Sequence, residues 1–347
     1  MSRIVYVAVA AALVGIGGLL FLHMHTRSIA VAPQGTLGER ESFWKGRIEA
    51  VGASDAYAEF AQSVSTLSPA KQHENAHTFG GALFDAEGTA GLATCDARFS
   101  YGCFHEFLGR AIASLGMGIV DSLNQGCVDA LGGNALSCQH GIGHGVQAAL
   151  GYDESALKKA LRICENLPYN DPIGGCYGGV FMEYNMQTML GEQARTRPEK
   201  PGDPLYPCDV LSAAYLPACA FWSPQWWINL QHQAGAPTVD TKAIGSLCDS
   251  FTDAHQVRAC YEGLGTVVPP EGAFEPATVR DLCDRSSLDP VHQLYCLSYA
   301  ANSLDVGGSG QKGDAAAVCD GLSDKSYAYC MAYAQNKANL AVPLDAL

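Results

Sequence analysis

The sequence predicts an all-α protein: an array of helical hairpins (an α/α repeat solenoid), each clipped by one disulfide, after an N-terminal transmembrane helix. Three observations predict it. The 14 cysteines form seven consecutive pairs at a regular period. The segments around them carry helical spacing and caps, with little β-branched alternation. A long uncharged run opens the chain.

With 347 residues, 48% apolar and 16% charged, the chain can bury a large core and is too apolar to be disordered. A net charge of −14 repels phosphate backbones, so nucleic acid is excluded as a partner. Fourteen cysteines imply an oxidising compartment or several metal clusters.

The N-terminus bears on that choice. "IVYVAVAAALVGIGGLLFL", residues 4–22, is 19 uncharged residues after Arg3, close to the span of a ~30 Å hydrocarbon layer. It reads as the anchor of a single-pass membrane protein, with the N-terminus cytoplasmic and the body periplasmic or extracellular. A signal peptide cleaved after Ala30-Val31-Ala32 is the rival reading. Residues 23–50 then form a juxtamembrane linker. Residues 54–340 form the repeat domain, His-rich over about 54–190, with cysteine-pair repeats continuing to 340. The expected partners are the membrane, through that helix, and a protein.

The pairs are Cys95/Cys103, Cys127/Cys138, Cys164/Cys176, Cys208/Cys219, Cys248/Cys260, Cys283/Cys296 and Cys319/Cys330. Members of a pair lie 8 to 13 residues apart, and the second cysteines recur every 34 to 43 residues. First cysteines often begin Cys-acidic-x-apolar, as in "CENL" and "CDVL"; second cysteines open apolar or glycine-rich runs such as "CYGGVFMEY". Asp153 is the expected N-cap of "ESALKKALRIC", Asp314 and Asp324 those of the last two helices, and Asp289-Pro290 reads as a cap and first helical position. Each pair thus reads as the end of one helix and the start of the next, joined by a disulfide. No CxxC spacing supports zinc or iron–sulfur clusters on these cysteines.

This organisation resembles tetratricopeptide-type hairpin repeats, and is most similar to secreted, cysteine-rich Sel-like repeat proteins. The likeness covers roughly residues 90–335 and concerns period and cysteine placement, so it implies an architecture and no binding function.

Histidines keep the same register. His105 and His140 each stand two residues after a second cysteine, and His73 lies 32 residues before His105. His77 and His144 follow their partners by four residues, on the same helix face. With Glu183 on the next helix, they form a candidate site for a divalent transition metal such as zinc, copper or iron. Gly141, Gly143, Gly145, Gly178 and Gly179 read as places of close helix approach or of space for a ligand. His23, His25, His232, His255 and His292 stand outside the register.

"HENAHTFG", residues 73–80, also resembles the H-E-x-x-H-x-x-G helix of zinc metallopeptidases, which implies His73 and His77 as ligands and Glu74 as general base. The third-ligand position of the longer peptidase pattern is Leu83, which departs from it. "FWSPQWWINL", residues 221–230, is either packing or an aromatic contact surface. The leading functional reading is a metal-binding repeat protein, enzyme or metal handler. A scaffold for protein partners and a zinc metallopeptidase are the alternatives.

Overall fold

The computed structural model describes residues 31–132, 135–167, 173–189, 197–305 and 313–335. Among these residues there is no strand. The chain begins with α1 (Leu37–Val51), α2 (Ala53–Val64) and α3 (Pro69–Glu87). The cysteine pairs then start, around α4 (Gly102–Leu115), α5 (Val120–Leu131), α6 (Leu136–Leu150), α7 (Glu154–Glu165) and α8 (Cys176–Asn185). The second half runs through α9 (Leu216–Gln233), α10 (Thr241–Cys248), α11 (Ala254–Glu271) and α12 (Pro276–Ser286). It finishes with α13 (Pro290–Asp305), α14 (Asp314–Cys319) and α15 (Asp324–Ala334).

Two kinds of helix emerge from two kinds of sequence. In α7 only one stripe is buried, Ala156, Leu157, Ala160, Leu161 and Cys164, at the spacing of an amphipathic surface helix. In α8 every residue except Met182 is buried, so this glycine-rich helix is enclosed on all sides. Helices of the second kind pack in chain order, α3 on α4, α4 on α6, α6 on α8, α8 on α9, and onward through α11 and α13 to α15. Those of the first kind, such as α5, α7 and α10, pack on the outside of this row. The result is two layers around one core.

Each cysteine is bonded to its expected sequence neighbour. The bonds are Cys95–Cys103, Cys127–Cys138, Cys164–Cys176, Cys208–Cys219, Cys248–Cys260, Cys283–Cys296 and Cys319–Cys330. No described cysteine is free. Closing so short a loop removes about 3 kcal/mol of unfolded-state entropy per clip on a chain-entropy account. Glycines set the spacing of the inner row. A Cβ at Gly80, Gly143 or Gly265 would collide with the carbonyl oxygen of Cys103, Cys176 or Cys296 respectively. In each case the cysteine belongs to the next inner helix, so one contact recurs at three interfaces.

The pairing matches the sequence expectation, but the expected helix starts need correction. Only Cys176 is itself the first residue of its helix, with Cys103 directly behind Gly102 in α4. Cys138 and Cys219 lie inside the first turn of α6 and α9, which begin at Leu136 and Leu216. In α9 the earlier start suits Pro217, whose fixed φ belongs in a first turn. Cys260, Cys296 and Cys330 lie deeper still, more than one turn into α11, α13 and α15. There Asp253, Pro290 and Ser323 start the helices earlier than the cysteines do, and the Pro290 start is the one expected from Asp289-Pro290. The clip therefore staples a helix interior at these three positions, not a helix end.

Other boundaries differ as well. Asp153 caps α7 as expected, accepting from the Ala156 backbone at 2.8 Å. Asp314 and Asp324 instead occupy first helical positions behind Gly313 and Ser323, where a carboxylate still favours the positive helix end. Residues 37–50, expected as linker, are helical: Thr36 and Glu39 form a capping box, and Trp44 and Ile48 are buried one turn apart.

The membrane expectation is corrected. Among the described residues no helix is long and apolar enough to cross a membrane. The run at 4–22 lies outside the described residues. The single-pass localisation therefore has no support in the folded body, whose apolar helices bury their side chains against one another.

Candidate metal centre

Helices α3, α4 and α6 are successive members of the inner row, and each brings histidines to the same place. His73 and His77 come from α3, His105 from α4, and His140 and His144 from α6. Their ligand atoms form two triads, His73/His77/His105 and His105/His140/His144, each within 4.8 Å. His105 belongs to both. Its ring centroid lies 5.5 and 5.4 Å from those of His73 and His77, and 5.7 and 4.7 Å from those of His140 and His144.

Within each i,i+4 pair the Nε2 atoms face each other: 3.1 Å for His73 and His77, and 3.1 Å for His140 and His144. The opposite ring edges are tied to the frame. His73 Nδ1 donates to the Phe99 carbonyl at 2.8 Å, and His140 Nδ1 to the Gly174 carbonyl at 3.0 Å. His144 Nδ1 donates to Glu183 Oε2 at 3.0 Å. Neither a carbonyl nor a carboxylate can supply a proton, so His140 and His144 both carry theirs on Nδ1. Two unprotonated Nε2 lone pairs are then left face to face.

Cysteine adds no ligand to this set. Cys103 and Cys138 precede His105 and His140 by two residues, but their sulfurs are bonded to Cys95 and Cys127 and carry no thiolate. Cys219, Cys260 and Cys330 are likewise buried, bonded and structural.

Burial pushes the protonation of His73, His105 and His140 down, so their lone pairs prevail. His140 falls to about 3, through burial and the neighbouring His144, against the opposing pull of the Gly174 carbonyl. His73 falls to about 4, through burial and His77. His105 is held well below the ordinary histidine range by burial and by all four neighbouring imidazoles.

Glu183 stands one layer behind the ring cluster. Burial pushes its carboxyl up, but hydrogen bonds from His144, Thr188 and Tyr152 outweigh that and hold it below the usual range. Oε1 accepts from Tyr152 at 2.5 Å, while Oε2 accepts from His144 and from the Thr188 backbone and hydroxyl. With both oxygens so engaged, Glu183 orients His144 where the sequence suggested a ligand. Glu106, which sequence reasoning passed over, faces the other pair: its Oε2 lies 3.8 Å from His77 Nδ1, with both side chains buried. Its place immediately after His105 in "CFHEFLGR" was the available signal.

Glu74 is not brought to the centre. It is exposed and pairs with Lys71 at 2.9 Å, because a residue next to His73 projects from a different helix face. The histidines outside the register also stay outside the cluster. His232 pairs with Glu271, His292 stacks on Tyr261, and His255 lies at the start of α11 on the surface. His23 and His25 lie outside the described residues.

The support of His73 carries backbone strain. Phe99, Ser100 and Tyr101 are three consecutive non-glycine residues with positive φ, at 58°, 49° and 63°, a conformation costing roughly 1–3 kcal/mol per residue. Their turn ends at Gly102, whose missing Cβ leaves room for the His73 carbonyl and ring.

A groove of about 550 Å³ opens onto the cluster, reaching His73, His105 and His140 directly. Its walls come from α3 at one end of the row through to α13, so the inner row bends around it. His77 and His144 are buried beneath. Trp222 lies on the groove wall, its ring 5.6 Å from His140, while Trp226 and Trp227 are buried elsewhere in the core.

No protein-family model matches this chain, and neither characterised proteins nor solved structures give a match. The likeness to Sel-like repeats is thus one of architecture alone, in the helices and cysteine pairs.

Proposed function

We propose that this is a transition-metal protein with a two-ion histidine centre, built on a disulfide-clipped helical solenoid. One observation carries the reading: the opposed Nε2 atoms of His140 and His144, 3.1 Å apart, with both Nδ1 atoms already donating. Opposed lone pairs repel unless a cation lies between them. An ion at the usual ~2.0–2.1 Å from each nitrogen subtends roughly 100°, near tetrahedral.

Two ions follow from the two triads, since all five histidines do not form one set at bonding range. His105, common to both sets, would serve both as an imidazolate, one ion on each ring nitrogen and its ring proton released to solvent. Carbonyl and carboxylate partners on the Nδ1 edges are what a metal-binding imidazole requires to fix its tautomer. An all-imidazole set suits zinc, copper or iron. Exposed Glu74 and the absence of strands among the described residues speak against a zincin-type peptidase. Seven disulfides suit an oxidising compartment.

Metal per chain, measured by mass spectrometry after dialysis against micromolar zinc and then against buffer, tests the proposal. The expected value is two. A protein that retains none overturns it.

A further inference from the structure

The groove over the histidines has an unusual lining. Among the described residues no Lys, Arg, Asp or Glu faces it, in a chain that carries 35 acidic and 21 basic residues. Phe221, Trp222, Phe274 and Tyr299 supply aromatic surface instead. Pro269 and Pro270 form a wall that offers no backbone N–H. The remaining side-chain polarity is neutral, from Ser100, Thr266, Asn302, Ser303 and the phenols of Tyr101 and Tyr299. At about 550 Å³ the space falls within the roughly 300–1,000 Å³ of small-molecule sites.

With no ion bound, a charged group entering such a groove would lose hydration and meet no countercharge among the described side chains, whereas an aromatic ring would lose little and gain ring contacts. Among the described residues, the strong ligating centre at its floor is the histidine cluster. Both rims are held in positive-φ backbone, at Ser100 and Tyr101 on one side and at Phe274 (φ 60°) on the other. Turns with left-handed residues therefore border the opening.

We propose that the groove binds an uncharged aromatic alcohol or phenol, its ring against Trp222, Phe221 and the Pro269–Pro270 wall and its oxygen toward the ion. The oxygen contact rests on the metal reading above; the choice of a neutral aromatic rests on the groove alone. His105 and His140 lie at the floor and Trp222 beside them, so one molecule spans wall and centre.

Calorimetric titration of the full chain with 2-naphthol, in zinc-loaded and zinc-free form, tests this. In zinc-free protein, 2-naphthol should bind about tenfold tighter than 2-naphthoate or 2-naphthylmethylammonium, the cost of burying an uncompensated charge. Zinc loading should tighten 2-naphthol about tenfold and leave 2-methylnaphthalene, which has no oxygen, unchanged. Thr266→Arg and Ser303→Glu each place a charge in the groove without touching a histidine. Either should weaken 2-naphthol about tenfold with zinc content and circular dichroism unaltered.

Equal binding of the charged naphthalenes, or undiminished binding in the folded variants, overturns the proposal. Zinc uptake without naphthol binding overturns it too, and leaves the metal reading intact. Charge-selective naphthol binding in a protein that takes up no zinc removes the metal reading and the oxygen contact together.

Discussion

The rings of His105 and His144 lie 4.7 Å apart at an interplanar angle of 35°, and the same His105 ring lies 5.4 Å from His77. One residue of α4 thus joins the histidine pair of α3 to that of α6. If each triad holds an ion, His105→Ala should weaken both sites, by about tenfold or more. His77→Ala should weaken one and His144→Ala the other. Zinc titrations of the three variants distinguish the patterns: a His105→Ala protein that keeps one site at full affinity would contradict a shared ligand.

Glu183 touches no other cluster histidine than His144, yet it fixes that ring by the Nδ1 hydrogen bond. Glu183→Gln keeps the shape and removes the carboxylate. We expect about 10–100-fold weaker zinc binding at the His140/His144 site. Glu74→Gln, on the exposed face of α3, should leave zinc binding unchanged. Equal effects of the two substitutions would return Glu74 to the centre.

Acid stability follows from the depressed histidines. In the unfolded chain they take protons near pH 6.5, but in the fold His73 resists until about 4 and His140 until about 3. Between those values the unfolded state binds more protons, so stability falls as pH falls. Each such histidine contributes up to about 1.4 kcal/mol per pH unit, and nothing above pH 6.5. Thermal unfolding of oxidised, chelator-treated protein from pH 8 to 3.5 measures this. His140→Gln should flatten the slope, and an unaltered slope would show that other groups carry it.

Gly143 offers a test in which two effects have opposite signs. Alanine improves helix propensity by about 1 kcal/mol over glycine. Its Cβ, however, would collide with the Cys176 carbonyl across the α6–α8 interface. Collision should win, with a loss of about 1–3 kcal/mol and a lower melting temperature. Gly265→Ala, at the matching contact with Cys296, should lose comparable stability but no metal affinity. A raised melting temperature in either variant would mean that the helices can separate at no cost.

The hairpins were legible because their defining bond is local. Each cysteine finds its partner within 13 residues, so period alone reveals the pairing. The helix starts were less legible, because a cysteine neither caps nor breaks a helix; Asp253 and Ser323 decide where α11 and α15 begin, ahead of Cys260 and Cys330. His73/His77 and His140/His144 were legible since i,i+4 spacing fixes a common face. What held those rings was not. The partners of His73 and His140 are backbone carbonyls of Phe99 and Gly174, which no side-chain pattern announces. Thr188 and Tyr152 reach Glu183 from outside the register of the repeat. The groove was further out of reach: Pro69 and Tyr299 share it only because the inner row curves.

The nearest-neighbour pairing of the cysteines also bears on how the molecule is made. No disulfide ties one hairpin to another, and none encloses a third cysteine. A chain emerging N-terminus first into an oxidising medium therefore exposes each cysteine's correct partner before any later thiol competes. Oxidation can keep pace with emergence, and correct pairing does not have to await the C-terminal end. The His73/His77/His105 triad is available once α4 has joined α3, with one bond formed out of seven. The first of the two histidine triads is then among the first parts of the molecule to be completed.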